Sequence, residues 1–215
     1  MPVSDPQRNL PRGPHGLSRD EVLRSQHSRL IQAATDEVAE RGYVNTTVAH
    51  IIARAGVSRA TFYALFADRD ACFQAAYDAN AALVAWVMEE ELGRVRSAKD
   101  QKPLERLDRV LRVYLEALRD SPTLARVFLV EVYAAGPTAI AQRRASLERF
   151  IDIVAETHRG ETGLLGTRKD QRFAAEAVAG AVSFMVTNAV AAGDFDQLVD
   201  LRKPLMRLAA QLTAV

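Results

Sequence analysis

Apolar residues recur along this chain at three- and four-residue intervals, and nowhere do apolar and polar positions alternate as in a half-buried strand. The spacing predicts helices throughout. Ser18 with Glu21 makes a capping box, so a first helix starts there and runs to Arg41, with Leu30, Ile31, Ala34 and Val38 as its buried stripe. Val48, Ile51, Ile52 and Ala55 give one apolar face to a second, short helix, and Gly56 ends it. Ser58 is the N-cap of a third. Val57 and Phe62 flank that cap as a hydrophobic staple, which fixes how the chain enters the helix. Phe62 and Leu65 then face inward, leaving Arg59, Thr61 and Tyr63 to point elsewhere. Two short helices about a tight turn, the second offering polar side chains outward, form a helix-turn-helix whose second helix enters a DNA major groove.

The remaining pattern is helical too. Asp68 caps a long helix to about Arg94, with Phe73, Tyr77, Val84, Val87 and Met88 as apolar positions. Pro103 starts a helix carrying Leu104, Leu107, Leu111, Tyr114 and Leu118, and Ser121 with Pro122 starts the next. Leu124 to Tyr133 is apolar nearly all round, which predicts a buried helix. Pro137 opens another, with Ile140, Leu147, Ile151 and Val154 inward, and residues 159 to 169 read as a loop. From Phe173 to Ala192 the only charge is Glu176. That length approaches a membrane span, but alanine dominates and Glu176, Ser183, Thr187 and Asn188 interrupt it, so a soluble helix is expected. Small residues fall at every fourth position, Ala175, Ala179, Ser183, Thr187 and Ala191, as a stripe that lets helix backbones approach closely. Leu198, Leu201, Leu205, Leu208 and Leu212 form a narrow apolar seam at the end, where Pro204 marks a kink or a fresh start.

Composition narrows the classes. A chain of 215 residues allows one or two domains and a sizeable core, and 48% hydrophobic with 26% charged residues is ordinary for a soluble protein. The single cysteine, Cys72, excludes an internal disulfide and a multi-cysteine zinc site and fits a reducing cytoplasm. His15, His27, His50 and His158 have no metal-ligand spacing, so no metal or cofactor is expected. No apolar signal region opens the chain. Residues 1–17, rich in proline and glycine, read as a disordered tail in which Arg8 and Arg12 are the only candidates for DNA contact. The net charge of +1 argues for nothing by itself; between Arg41 and Arg69 four arginines face one acid, Asp68, for a local +3. That charge permits DNA binding, and the motif carries the claim.

The stretch from Leu30 to Tyr77 resembles the DNA-binding region of the TetR family of bacterial repressors. The resemblance rests on Glu40-Arg41-Gly42, the pair Thr46 and Thr47, the turn Ala55 to Ser58, Thr61-Phe62-Tyr63, Phe66, and Asp68 to Asp70. Ala60 stands where the family often has glycine and Arg69 where it usually has lysine. The resemblance implies an all-α chain: a three-helix DNA-binding domain over residues 18–67, then a larger helical effector-binding and dimerisation domain over 68–215. The expected DNA-facing residues are Thr46, Thr47, His50, Ser58, Arg59, Ala60, Thr61, Tyr63 and Arg69. Arg59 sits in the first turn of the recognition helix, Thr61 offers a methyl to thymine, the family uses the tyrosine at position 63 on the phosphate backbone, and Arg69 is a phosphate clamp. Dimerisation through the last two helices would use Ala175, Ala179, Ser183, Thr187, Ala191, Leu198, Leu201, Leu205 and Leu208. An effector pocket among the middle helices has as candidates Phe73, Tyr77, Trp86, Tyr114, Phe128, Glu131, Tyr133, Met185 and Asn188. Glu131 is the sharpest: a carboxylate in an apolar helix needs a partner, either a salt bridge to Arg126 or Arg143 or a cationic ligand group.

The expectation is a cytoplasmic homodimeric transcription regulator, a repressor of a palindromic operator released by a small molecule. The competing classes are an all-helical enzyme and a ligand-independent architectural DNA-binding protein. No catalytic residues are assigned, because no metal helix motif, glycine-rich phosphate loop or nucleophile elbow occurs.

Overall fold

The structure is a computed structural model that describes residues 18–97, 102–157 and 168–213. Every regular element among them is helical: α1 (Arg19–Arg41), α2 (Val48–Ala55), α3 (Arg59–Leu65), α4 (Arg69–Ser97), α5 (Pro103–Asp120), α6 (Pro122–Leu129), α7 (Pro137–Thr157), α8 (Arg168–Ala192) and α9 (Arg202–Thr213), with 3₁₀ segments at Glu131–Ala134 and Phe195–Leu201. The expected tail contacts of Arg8 and Arg12 and most of the expected loop at 159–169 lie outside the described residues; Arg168 and Lys169 already belong to α8.

The chain divides into two compact units, residues 1–79 and 80–215. In the first, α1, α2 and α3 close around Leu30, Ala33, Ala34, Ile51, Ala55, Phe62 and Phe66. Cys72 and Ala76 of α4 are buried in the same core, so this unit extends past residue 67 to Ala79. Its local signals act as the sequence suggests. The Ser18 and Glu21 side chains cap α1 reciprocally, Ser58 Oγ accepts from the Thr61 amide at 3.0 Å, and Asp68 Oδ1 accepts from the Ala71 amide at 2.7 Å. Gly56 closes α2 at φ 62°, ψ 39°, a left-handed conformation that a Cβ disfavours.

The second unit has its own core, with Leu115, Leu118, Leu129, Val186, Leu198 and Leu205 among its most deeply buried side chains. Here three expectations change. The apolar run Leu124 to Tyr133 is not one helix: α6 stops at Leu129, and a 3₁₀ turn from Glu131 leaves Tyr133 53% exposed. On α7 the inward position is Ala139, fully buried, and Ile140 is exposed. The four-residue stripe on α8 does not hold one face. Each step of four residues overshoots a full turn by about 40°, so the stripe winds around the helix. Ala175 and Ala179 are buried in the unit's own core, Ser183 and Thr187 are half-buried, and Ala191 is exposed. The exposed side of α8 instead carries Phe173, Gly180, Phe184 and Asn188. Likewise Leu198 and Leu205 are buried by packing of the terminal segment on α5 and α8, with Leu201 and Leu208 half-buried. The stretch Lys169–Ala192 is long and apolar enough, by length and composition alone, to cross a bilayer. Its Val178, Val182, Val186 and Val190 pack inside the unit, and Arg172 on it pairs with Glu148, Asp152 and Glu176.

Candidate functional site

The second helix of the helix-turn-helix, α3, is short, seven residues, and is held from behind. Phe62 is fully buried and Phe66 nearly so, their rings 5.8 Å apart. Burying Phe62 contributes about 1.5–3 kcal/mol and fixes the helix's rotation. With Phe62 inward, Arg59, Ala60 and Tyr63 come out exposed and Thr61 half-buried. The Thr61 hydroxyl shares a 2.9 Å hydrogen bond with Ser58 Oγ.

Thr47 and Thr46, adjacent in sequence, have opposite roles. Thr47 is exposed and caps α2: its Oγ1 accepts from the His50 amide, and His50 Nδ1 accepts from the Thr47 amide, both at 3.3 Å. His50 is thereby the second half of a capping box. Thr46, expected to face DNA, is fully buried, and its hydroxyl donates to the Gly42 and Glu37 carbonyls at 2.9 and 3.2 Å. It ties the α1–α2 loop to the end of α1. Arg69 also departs from the expected phosphate clamp. Its guanidinium lies 4.3 Å from the Tyr43 ring centroid, donates to the Thr46 and Tyr43 carbonyls at 3.1 and 3.3 Å, and pairs with Asp70. Arg69 braces the loop that presents Thr47. Burial, aided by the 2.5 Å hydrogen bond that its hydroxyl donates to Asp70, pushes the Tyr43 phenol up to about 12. The same bond holds the Asp70 carboxyl below its ordinary range.

The local charge of +3 is largely spent inside the unit. Burial pushes the Glu37 carboxyl up, but hydrogen bonds from Arg54 and Arg41 outweigh it and hold it below the usual range. Arg54 also reaches Glu40. Of the four arginines, only Arg59 has no ion pair among the described residues. Sequence reasoning missed Arg29, whose guanidinium donates to the Ala55 and Gly56 carbonyls and so closes the turn before α3. Its two partners lie far along the chain, and no local spacing signals them.

In the second unit a cavity of about 50 Å³ opens among α4, α5, α6, α7 and α8, with Val84, Met88, Tyr114, Phe128, Phe150 and Ile153 among its walls. Of the expected pocket residues only Tyr114 and Phe128 line it. Phe73 and Tyr77 are buried in the first unit, where Phe73 packs edge-on against Tyr43 at 4.8 Å. Trp86 and Tyr133 are more than half exposed; Met185 is half-buried and Asn188 exposed, neither on the cavity. Glu131 is buried against Arg126 at 3.4 Å, the salt-bridge alternative. Arg143 and Ser183 line the cavity unexpectedly, joined by a 2.8 Å hydrogen bond. That bond turns Ser183 toward the cavity. The sequence did hold one signal for Arg143. It sits at helical spacing on α7 between Ala139 and Leu147, a charge on an apolar stripe.

Residues 30–76 match the model of the bacterial regulatory proteins of the tetR family. Over that stretch, which holds α2, α3 and parts of α1 and α4, the chain is similar to that family. The HTH-type transcriptional regulator RutR of Escherichia coli (strain K12) is 25% identical over 135 residues, which cover 62% of this chain and 60% of RutR. The chain thus spans less than two thirds of the curated relatives it matches. FadR of Bacillus subtilis, solved with stearoyl-CoA, superposes with a TM-score of 0.72 at 21% identity, over 88% of this chain and 99% of FadR. Thermus thermophilus FadR, a TetR-family repressor solved with lauroyl-CoA, gives 0.63 at 24% identity, over 88% and 95%. These likenesses show the all-α fold, with a helix-turn-helix first and a larger helical region after it.

Proposed function

We propose that this chain is a regulator of the tetR kind, a sequence-specific DNA-binding repressor that a small-molecule effector releases from a palindromic operator. The observation that carries the reading is α3. Phe62 and Phe66 lock its rear into the core, while Arg59 and Tyr63 stand exposed, and among the described residues Arg59 has no acid to neutralise it. A cation held outward without a partner is suited to phosphate or to a guanine edge. Thr47 and the α2 N-terminus offer amide groups to a second phosphate, and the methyl of Thr61 suits a thymine. Thr46 and Arg69 act one step back, by holding the loop.

The chain works as a homodimer in the cytoplasm, because one short helix reads few base pairs and a two-fold pair doubles the contact. The exposed side of α8, with Phe173 and Phe184, suits that pairing better than the small-residue stripe. Residues 18–67 carry DNA contact, and the region from 68 onward carries effector binding and assembly. The cavity, together with the acyl-CoA bound in the two FadR structures, supports an effector. Its binding shifts the population of dimers toward a spacing that no longer fits successive major grooves.

Selection from random duplex DNA tests the reading. The protein should enrich a palindrome, with affinity falling as salt rises. Arg59→Ala should cost about 1–3 kcal/mol and relax specificity, whereas Tyr63→Phe should weaken all sequences alike. Absence of any enriched sequence overturns it.

A further inference from the structure

Four charged side chains among the described residues are buried: Glu37, Glu91, Glu131 and Arg143. Each carboxylate has an arginine. Glu37 holds Arg54 and Arg41, Glu91 holds Arg109 and Arg94, and Glu131 holds Arg126. Arg143, 6% exposed, has no ion pair among the described residues. Its Nη2 donates to Ser183 Oγ at 2.8 Å, its Cζ lies 5.2 Å from the Phe128 ring centroid, and its Nε is buried with no hydrogen-bond partner. A guanidinium cannot escape the cost of burial by losing its proton, since it stays charged at any ordinary pH. A hydroxyl and a ring face compensate only part of that cost. What remains is a bidentate donor fork on the wall of a cavity whose other lining is largely apolar, Val84, Met88, Leu147, Phe150 and Ile153 among it, with Ser146 and with Arg149, whose charge Glu89 already meets at 2.8 Å.

We propose that this cavity binds an anionic amphiphile, a short to medium apolar body bearing a carboxylate or comparable anion, and that Arg143 reads the anion. The inference rests on the effector reading above and fixes the sign of the ligand's charge. It reverses the expectation of a cation built on Glu131, whose charge Arg126 already meets. Two parallel N–H···O bonds from Arg143 to a carboxylate satisfy the orphaned Nε, and the alkyl body meets the aromatic and aliphatic wall.

The test is calorimetric titration of the purified full chain, without DNA, with four probes: octanoate, octan-1-ol, octylammonium and octanoyl-CoA. Octanoate should bind about 10- to 150-fold more tightly than octanol, the range expected of a charge-assisted hydrogen bond, and octylammonium most weakly. Arg143→Met should erase the preference for octanoate over octanol and leave octanol within about threefold, since only the charge contact is removed. Arg143→Lys should keep part of the preference, as charge without the fork. Arg143→Met should melt no lower than the wild type, because it removes an unpaired buried charge. If Arg143→Met fails to fold, the ranking of the head groups in the wild type and in Arg143→Lys decides. Octanoyl-CoA separates the sources of the anion. Tighter binding of the ester that falls in Arg143→Met supports an ester ligand, and tighter octanoate supports a free acid. Equal binding of octanoate and octanol, no octanoate binding at millimolar concentration, or ester binding indifferent to Arg143 overturns the proposal. Failure of DNA selection leaves these titrations untouched, so the two readings fail separately.

Discussion

The recognition helix of the first unit and the cavity of the second each hold an arginine with no ion pair among the described residues, in opposite surroundings. Arg59 is exposed on α3, where water solvates it and its freedom costs little. Arg143 is buried, with one hydroxyl and one ring for company, where an unmatched charge is expensive. Around both, other guanidiniums are engaged: Arg41, Arg54 and Arg69 in the first unit, Arg109, Arg172 and Arg202 in the second. Arginine content by itself therefore says little about binding. What matters is which arginine the fold leaves without an acid, and whether water reaches it.

The comparison is broken most strongly by collapsing the support of α3. Phe62→Ala should lower unfolding stability by about 3–5 kcal/mol, the cost of a large cavity in a close-packed core, and abolish operator binding although no DNA contact is changed. Chemical denaturation and an operator titration check this. A variant with near-normal stability would mean that Phe62 does not set the presentation of Arg59.

A smaller effect tests whether the internal arginines really are spent. Glu37→Gln leaves Arg54 and Arg41 short of an acceptor and should cost about 1–3 kcal/mol. It should also change the acid limb. Its arginine partners hold the folded Glu37 carboxyl below the ordinary 4.5, so its contribution is present above about that pH and is lost as pH falls through the lower folded value. Melting temperature against pH should therefore fall less steeply below 4.5 in the variant. An unchanged acid limb would say that Glu37 is not the group that titrates.

The smallest effect sharpens the picture of Arg69 as a brace. Tyr43→Phe removes the hydrogen bond to Asp70 and should cost about 1 kcal/mol at neutral pH. The Tyr43 phenol titrates near 10 when unfolded and at about 12 when folded, so its contribution is complete below pH 10 and is lost as pH rises toward 12. Wild type should lose stability over that window and Tyr43→Phe should lose less, as read by ellipticity in alkaline buffers. Equal alkaline slopes would detach Tyr43 from the loop.

Much of the architecture was legible because its signals are short-range. The caps at Ser18, Ser58 and Asp68 bind amides three residues away, and Pro103, Pro122 and Pro137 each begin a helix in the structure. Apolar periodicity located α1 to α3 and the inward turn of Phe62, hence the outward turn of Arg59 and Tyr63. Nothing local separated Thr46 from Thr47, because the difference lies in the Gly42 and Glu37 carbonyls that the loop brings to one hydroxyl. Of the aromatic candidates, Phe73, Tyr77, Trp86 and Tyr133 lie away from the cavity for a related reason: an aromatic at helical spacing can be core, as Tyr77 is, or surface, as Trp86 is.

By itself, then, the sequence determined the helical class, the limits of most helices, the helix-turn-helix and the side of α3 that faces out. Each of these depends on residues within a turn or two of one another, where backbone hydrogen bonds and side-chain caps act. Only the tertiary structure decided which charges are neutralised, which face of α8 is covered, and that Arg143 meets Ser183 and Phe128 at a cavity. Those outcomes depend on pairings across tens of residues, where what fills the space opposite a side chain is set by how whole helices pack.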